Sequence, residues 1–170
     1  VTNELADLPI PTLCVINGNV FGGGCELAMS CDFRLASEDV VMRVPASVIG
    51  LCYPIEGIER MVNRLGVTLA KRILVAAEEF SAQQMLEFGI VSRLISEDQL
   101  IAESNLTAKM LAQRAPLAVA AMLKIIRQAE RGGINVKEAR ELAAFCSESD
   151  DLQEGLLAQK ERRAPIFRGV

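Results

Sequence analysis

The residues of this sequence best suited to chemistry are three consecutive glycines and the glutamate that follows them. The run Gly22-Gly23-Gly24-Cys25-Glu26 stands between an apolar, strand-like segment and a segment of helical character. Consecutive glycines permit positive φ angles and let another group approach the backbone closely. The first turn of a helix presents free N–H groups and the positive end of its dipole, which suits an anion or a developing oxyanion.

Glu26 has two interpretations at this position. Its carboxylate could act as a general acid or base beside the oxyanion site. It could equally cap free amides and complement the helix dipole, as acidic residues in a first turn often do. Glycine-rich turns of this kind also bind phosphates, but this one lacks the Lys-Ser/Thr of a P-loop and the GxGxxG spacing. The spacing alone leaves both interpretations of Glu26 open.

The chain of 170 residues contains no histidine, and this count restricts the chemistry most. It removes Ser-His-Asp and Cys-His catalysis and the common zinc and haem sites. Carboxylates, backbone amides, Lys, Tyr, Ser and Cys remain. Cys25 follows the glycines at a helix start, where the pKa of a thiol can fall, but a small buried core residue is the more common role.

The composition indicates a globular protein, with 51% hydrophobic and 24% charged residues and a net charge of −4. Basic residues are scattered, so we expect no nucleic-acid partner. No apolar run reaches the about 18 residues of a membrane helix, and the first ten residues lack a basic signal-peptide start. The five cysteines have no CxxC spacing and indicate reduced thiols. We therefore expect a cytoplasmic protein with no membrane partner and no metal.

Four short strands and a long helical region are predicted. The run 12–17 has no polar alternation and indicates a strand buried on both faces; the other predicted strands are 32–36, 40–44 and 91–95. Helices are expected at 25–29, 58–65, 68–77, 81–89, 97–114, 116–131, 135–146 and 150–160, the one at 68 begun by a Thr68 cap. A doubly buried strand needs neighbours on both edges, so four strands form an incomplete sheet. We expect a missing N-terminal part, and Val1 in place of an initiator Met agrees.

Several motifs in order resemble the crotonase (enoyl-CoA hydratase/isomerase) superfamily. The central signature is similar to the stretch from Pro9 to Asp32, which contains Asn17-Gly18, Gly22-Gly23-Gly24 and Cys25-Glu26-Leu27-Ala28. Later matches are the Ala36-Ser37 turn, Pro45 with Gly50-Leu51, the helix from Gly57 to Leu65, Phe80 to Val91, and the ending from Gly155 to Phe167.

The resemblance implies an α/β fold with the ββα spiral core of crotonases, incomplete at the N-terminus and followed by helices that build a trimer. Residues 1–96 would form the partial core and 97–170 the helical oligomerisation region. It implies an acyl-CoA as substrate, no cofactor other than the coenzyme A of that substrate, and a homotrimer or a dimer of trimers.

The resemblance also assigns roles to single residues. The amide of Gly23 would be one of two oxyanion-hole donors to the thioester carbonyl, and Glu26 would be the first of the two glutamates that serve hydratases. The second donor belongs to the family's N-terminal part. The other residues placed beside the substrate are Gly22, Gly24, Pro45, Ala46, Leu51 and Tyr53.

Two departures from the family pattern leave the reaction open. Ala46 stands where the second glutamate is expected, and alanine can neither donate nor accept a proton. Tyr53-Pro54-Ile55-Glu56-Gly57 replaces a glycine-rich loop; Tyr53 or Glu56 could supply the lost acid, or Tyr53 packs and Glu56 is solvated. We expect an enzyme of the hydratase/isomerase type that stabilises a thioester enolate. The alternatives are a CoA-thioester decarboxylase or hydrolase, and a non-catalytic acyl-CoA-binding or assembly subunit.

Overall fold

The computed structural model describes all 170 residues, and they fold into six strands, eight α-helices and one short 3₁₀ helix (Ser47–Ile49). The strands are β1 (Leu13–Ile16), β2 (Val20–Phe21), β3 (Phe33–Ser37), β4 (Val41–Arg43), β5 (Phe80–Ser81) and β6 (Arg93–Ile95). The helices are α1 (Thr2–Ala6), α2 (Gly23–Ser30), α3 (Ile55–Leu74), α4 (Ala82–Glu87), α5 (Glu97–Ala112), α6 (Pro116–Glu130), α7 (Val136–Ser147) and α8 (Asp150–Glu161). None of the helices is both long and apolar enough to cross a bilayer.

The strands form two small sheets. One is parallel with the order β1-β3-β6; in the other, β4 pairs in parallel with β2 and antiparallel with β5. The connection from β1 to β3 runs through β2 and α2, so α2 lies within a crossover between two parallel strands. Thr12 and Asp32 bind each other just before the paired strands: the Thr12 amide and hydroxyl donate to Asp32 Oδ2, and the Asp32 amide donates to Thr12 Oγ1. This contact fixes the register of β1 and β3 where α2 ends.

The chain divides into two compact units, residues 1–6 with 12–106 and residues 7–11 with 107–170. The first unit holds both sheets and the main core. Its centre is a set of fully buried side chains that includes Met29, Met42, Met61, Phe80 and Met85. Each such side chain stabilises the fold by roughly 1.5–3 kcal/mol through burial.

The second unit contains α6, α7 and α8 and the chain end. The cap residues Asn135 and Ser149 accept hydrogen bonds from the amides of Glu138 and Leu152, as expected for helix starts. Arg163 holds Glu154 through two nitrogen–oxygen contacts of 2.5 and 2.8 Å, and this pairing lowers the pKa of Glu154 to about 2. The predicted division at residue 96 and the oligomerisation role of the helices stay predictions.

Two sequence expectations about elements were wrong, and a third was right. The strand at 12–17 is not buried on both faces, because β1 is an edge strand and three of its four side chains are only half-buried. Six strands form instead of four, because β2 and β5 have two residues each and leave no periodic pattern. The helices predicted at 58–65 and 68–77 are confirmed as the two segments of α3, which separate at Gly66 with φ 79° and ψ 160°.

Candidate functional site

The start of α2 is shaped by Gly22. Gly22 has φ 51° and ψ −114°, a conformation that residues with a Cβ rarely adopt. Its amide donates to the Arg43 carbonyl of β4 at 3.0 Å. Its carbonyl accepts from the amides of Cys25 and Glu26 at 3.0 and 3.3 Å. The turn therefore satisfies every amide around it except those of Gly23 and Gly24, which donate no hydrogen bond within the chain.

The three glycines have different surroundings. A Cβ on Gly24 would lie 2.9 Å from Cγ2 of Val20, so the helix start packs closely against β2. A Cβ on Gly23 would meet nothing within 4 Å, and Gly23 is exposed. The Gly23 amide therefore combines a free N–H, the positive end of a helix and open space beside it, which is what an oxyanion requires.

Glu26 lies one turn into α2 with its side chain 12% exposed. Its Oε1 accepts a hydrogen bond from Nη1 of Arg60, a residue of α3 whose side chain is 9% exposed. Its Oε2 is buried and accepts no hydrogen bond from the protein. A buried carboxylate oxygen without a protein partner is uncommon, and either a bound water or a catalytic role accounts for such an atom.

Tyr53 lies against the same carboxylate. A Cβ on Gly57 would be 2.5 Å from Glu26 Oε2 and 2.6 Å from Tyr53 Cε1, so the three residues converge around one point. The Tyr53 hydroxyl donates to the Gly22 carbonyl at 3.3 Å. Burial first, and the Glu26 charge second, raise the pKa of Tyr53 well above its usual value. The phenol is therefore neutral at physiological pH and acts as a hydrogen-bond donor.

Comparison with known proteins identifies the family to which this site belongs. The family model described as enoyl-CoA hydratase/isomerase matches residues 1–170. The chain belongs to the enoyl-CoA hydratase/isomerase family. The resemblance inferred from the glycine turn and the later motifs is therefore confirmed.

The relatives include two curated enzymes and many solved structures. The chain is 31% identical to a carnitinyl-CoA dehydratase of Salmonella typhi, over 98% of this chain and 66% of that enzyme. It is 29% identical to the 2,3-dehydroadipyl-CoA hydratase of Escherichia coli K12, over 94% of this chain and 63% of that enzyme. A structure described as an enoyl-CoA hydratase/carnithine racemase from Magnetospirillum magneticum superposes with a TM-score of 0.92 at 28% identity, covering 99% of this chain and 63% of the other. The crotonase-like fold is thus confirmed, and the chain spans about two thirds of the length of these relatives.

The structure places the predicted site residues around the start of α2 and in the turn after β4, and Ala46 belongs to the same buried cluster as Cys25. Gly22, Gly23, Gly24, Glu26 and Tyr53 surround the start of α2 as described. Pro45, Ala46 and Leu51 form a separate turn after β4, in which the Ala46 carbonyl accepts from the Leu51 amide at 2.9 Å. Ala46 is buried in the core and Leu51 is 56% exposed. At Ala46, where the resemblance expects the second glutamate, the side chain is a methyl group buried in the core.

Sequence reasoning missed Arg60. Gly57, Arg60, Met61 and Arg64 follow the i, i+3, i+4, i+7 spacing of one helix face, and Gly57 and Met61 are buried. An arginine on the core-facing stripe of a helix needs an anionic or carbonyl partner, because a buried charge without one is costly. This pattern was the available signal, but it does not say which carboxylate is the partner.

Arg64, the second arginine of this stripe, contacts the far end of α2. Its Nη1 donates to the carbonyls of Met29 and Cys31 at 2.5 and 2.7 Å. These are the carbonyls that the end of a helix leaves without intrahelical partners. Arg60 and Arg64 therefore attach both ends of α2 to α3.

Cys25 is a core residue. It is fully buried, and its Sγ lies 3.3 and 3.4 Å from the carbonyl oxygens of Val20 and Arg43. Burial raises the pKa of the Cys25 thiol to about 12. A nucleophilic role would need a lowered pKa and access to the substrate, so Cys25 does not act as a nucleophile.

We expect thiol labelling to separate Cys25 from Cys52, which is exposed. With iodoacetamide at pH 8, Cys52 should react at least roughly tenfold faster, because only about one Cys25 in 10,000 would be a thiolate at a pKa of about 12. Mass spectrometry of peptides from the native protein measures both rates, and labelling in urea is the control. Equal native rates would show that Cys25 is accessible.

A pair of glycine substitutions tests the convergence of Gly57, Tyr53 and Glu26. Alanine in a helix is favoured over glycine by about 1 kcal/mol. At Gly57 the added methyl would overlap Glu26 and Tyr53, which costs roughly 1–3 kcal/mol. We expect Gly57→Ala to lower the free energy of unfolding measured by urea denaturation.

Gly155→Ala is the matched control, because Gly155 also lies in a helix and its nearest contact would be an ordinary 3.6 Å to Phe167. This substitution should raise the free energy of unfolding by up to about 1 kcal/mol. If Gly57→Ala stabilised the protein as well, the close approach at Glu26 would be wrong.

Proposed function

We propose that the protein binds acyl-CoA thioesters and catalyses a reaction of the hydratase/isomerase type, in which an enolate oxyanion is stabilised at the start of α2. The observation that carries this proposal is the free Gly23 amide at a helix start, with Glu26 in the same helical turn. Membership of the enoyl-CoA hydratase/isomerase family and the names of the two relatives, a dehydratase and a hydratase, support this class.

The proposed step is the addition of water to the double bond of an enoyl-CoA. The thioester carbonyl oxygen accepts a hydrogen bond from the Gly23 amide, which draws electron density from the conjugated double bond. Water adds to Cβ of the acyl group while Oε2 of Glu26 takes one of its protons. The electron pair of the double bond moves to the carbonyl oxygen and gives the enolate.

The second half of the reaction protonates the enolate. Since Ala46 cannot supply a proton, Glu26 returns the proton that it took from water to Cα. One hydroxyl and one hydrogen have then been added across the double bond, and Glu26 is again a carboxylate. The buried, unpartnered Oε2 suits this double role, because it has no protein hydrogen bond to break.

Ala46 favours one alternative reaction. A CoA-thioester decarboxylase forms the same enolate by losing CO₂ and then needs only one proton donor, which Glu26 or Tyr53 could be. A malonyl-type CoA thioester is the probe for this reaction. Release of CO₂ from it without hydration of crotonyl-CoA would replace the hydratase proposal with the decarboxylase. Binding of both thioesters without either reaction would favour a non-catalytic acyl-CoA-binding subunit.

The first test of the proposal is Glu26→Gln in the full-length protein. We expect the kcat for hydration of crotonyl-CoA to fall roughly 10²–10⁴-fold, because glutamine has nearly the shape of glutamate but cannot exchange a proton. Chromatography of the hydrated product measures the rate and remains sensitive for slow variants. Equal rates for wild type and Glu26→Gln would remove Glu26 from the mechanism.

The second test removes the Gly23 amide hydrogen. Gly23 is the first residue of α2, where proline is well tolerated, so Gly23→Pro should keep the helix. Gly22, with φ 51° and ψ −114°, is outside the α region that a following proline disfavours. We expect kcat to fall about 10²–10³-fold, the usual cost of losing one oxyanion donor.

Gly23→Ala is the matched control for Gly23→Pro, because alanine keeps the N–H and its Cβ meets nothing within 4 Å. Its kcat should stay well above that of the proline variant. Equal losses in the two variants would indicate that bulk at this position, rather than the amide, limits the reaction.

A further inference from the structure

Arg60 is the residue that fixes the direction of the Glu26 carboxylate. The two side chains are 9% and 12% exposed, so water screens their interaction little. Nη1 of Arg60 donates to Glu26 Oε1, and Nη2 donates to Asn3 Oδ1 of α1 at 2.7 Å. A guanidinium is a planar group with its donors in fixed directions. Held at two points and attached to α3, it leaves the carboxylate little freedom to rotate.

The contact makes the two carboxylate oxygens unequal. Oε1 is occupied by Arg60, whereas Oε2 is buried and accepts no hydrogen bond from the protein. Oε2 lies against Gly57 and Tyr53, so that a Cβ on Gly57 would overlap it. The Tyr53 ring lies against Oε2, and its hydroxyl donates to the Gly22 carbonyl at 3.3 Å.

The hydrogen bond between Arg60 and Glu26 is kept when Glu26 takes up or releases a proton. If Oε2 takes a proton, Oε1 remains a carbonyl oxygen and still accepts the hydrogen bond from Arg60. The carboxyl group can therefore take up and return a proton without a change in its orientation. A misplacement of about 1 Å in a reacting group can cost about 10²-fold in rate, so such a fixed orientation has a large effect.

We propose that Arg60 is a positioning residue for Glu26, which engages Oε1 and presents Oε2 as the atom that transfers the proton. This inference rests on the proposed function, because it assigns the orientation of the acid/base that the proposed reaction uses. Arg60 does not contact the substrate in this assignment and acts only through Glu26.

The test is a double-mutant cycle in the full-length protein with crotonyl-CoA as substrate. We expect Arg60→Met to lower kcat by roughly 10- to 100-fold with KM changed less than about threefold, because orientation rather than binding is lost. In the Glu26→Gln background, Arg60→Met should lower kcat no further, since the residue through which Arg60 acts is already inactive. If the kcat loss of the double variant equalled the product of the two single losses, the proposal would be overturned.

Two further variants separate positioning from stability. Arg64→Met removes the neighbouring arginine of the same helix face, which holds the other end of α2. It should lower the midpoint of thermal unfolding as Arg60→Met does, with kcat per folded molecule within about threefold of wild type. Equal kcat losses in the two variants would make Arg60 a purely structural residue and overturn the proposal.

Arg60→Lys keeps the charge and is the variant to use if Arg60→Met does not fold. A lysine cannot hold Asn3 and Glu26 in the geometry of the guanidinium, so kcat should fall by about tenfold. Wild-type kcat in Arg60→Lys would overturn the proposal. The proposed function fails separately, if Glu26→Gln alone leaves the rate unchanged.

Discussion

The hydration that a carboxylate loses on burial must be replaced by other interactions. The pairing of Glu26 with Arg60 meets this requirement at the centre of the site. An ionised group buried alone is strongly disfavoured, whereas an arginine at one oxygen and a helix start nearby offset much of that cost. The pair also joins α2 to α3, two elements that are 34 positions apart in the chain at these residues. With Glu26 held in this way, its Oε2 lies against Gly57 and Tyr53 and excludes a side chain at Gly57.

The glycine turn and the ion pair have complementary roles. Gly22 takes a backbone conformation that closes the turn on β4 and leaves the next two amides without acceptors. The hydrogen bonds of Gly22 to β4 and to the next turn of the helix keep those amides in a fixed direction, while Arg60 and Arg64 attach α2 to α3. Preorganised donors are effective because they need no rearrangement when charge develops. The protein thus places a hydrogen-bond donor and a proton-transfer group on one short helix and anchors that helix at both ends.

The sequence predicted the strand-to-helix turn at the three glycines and the place of Glu26 in the first turn of the helix, because consecutive glycines at such a junction indicate a backbone that another group must approach closely. The roles of Gly23 and Glu26 stay predictions. Most helices were also predicted, since Ser81, Asn135 and Ser149 are caps that local sequence reveals. Arg60 was missed because its partner lies far away in the chain, and no local pattern identifies a long-range ion pair. The two-residue strands β2 and β5 exist only through pairing with β4, so their own residues carry no periodic signal.

The break at Gly66 determines which faces of α3 can be buried. Gly57 and Ile73 are both buried, yet sixteen residues at about 100° each would turn an unbroken helix by about 160° between them. In a straight rod the two would point to nearly opposite sides. The non-helical backbone angles of Gly66 change the rotation between the two halves of α3. Arg60 in the first half and Ile73 in the second therefore need not lie on one face of a continuous helix. The first half of α3 can therefore direct the Arg60 guanidinium toward Glu26 while the second half buries Ile73.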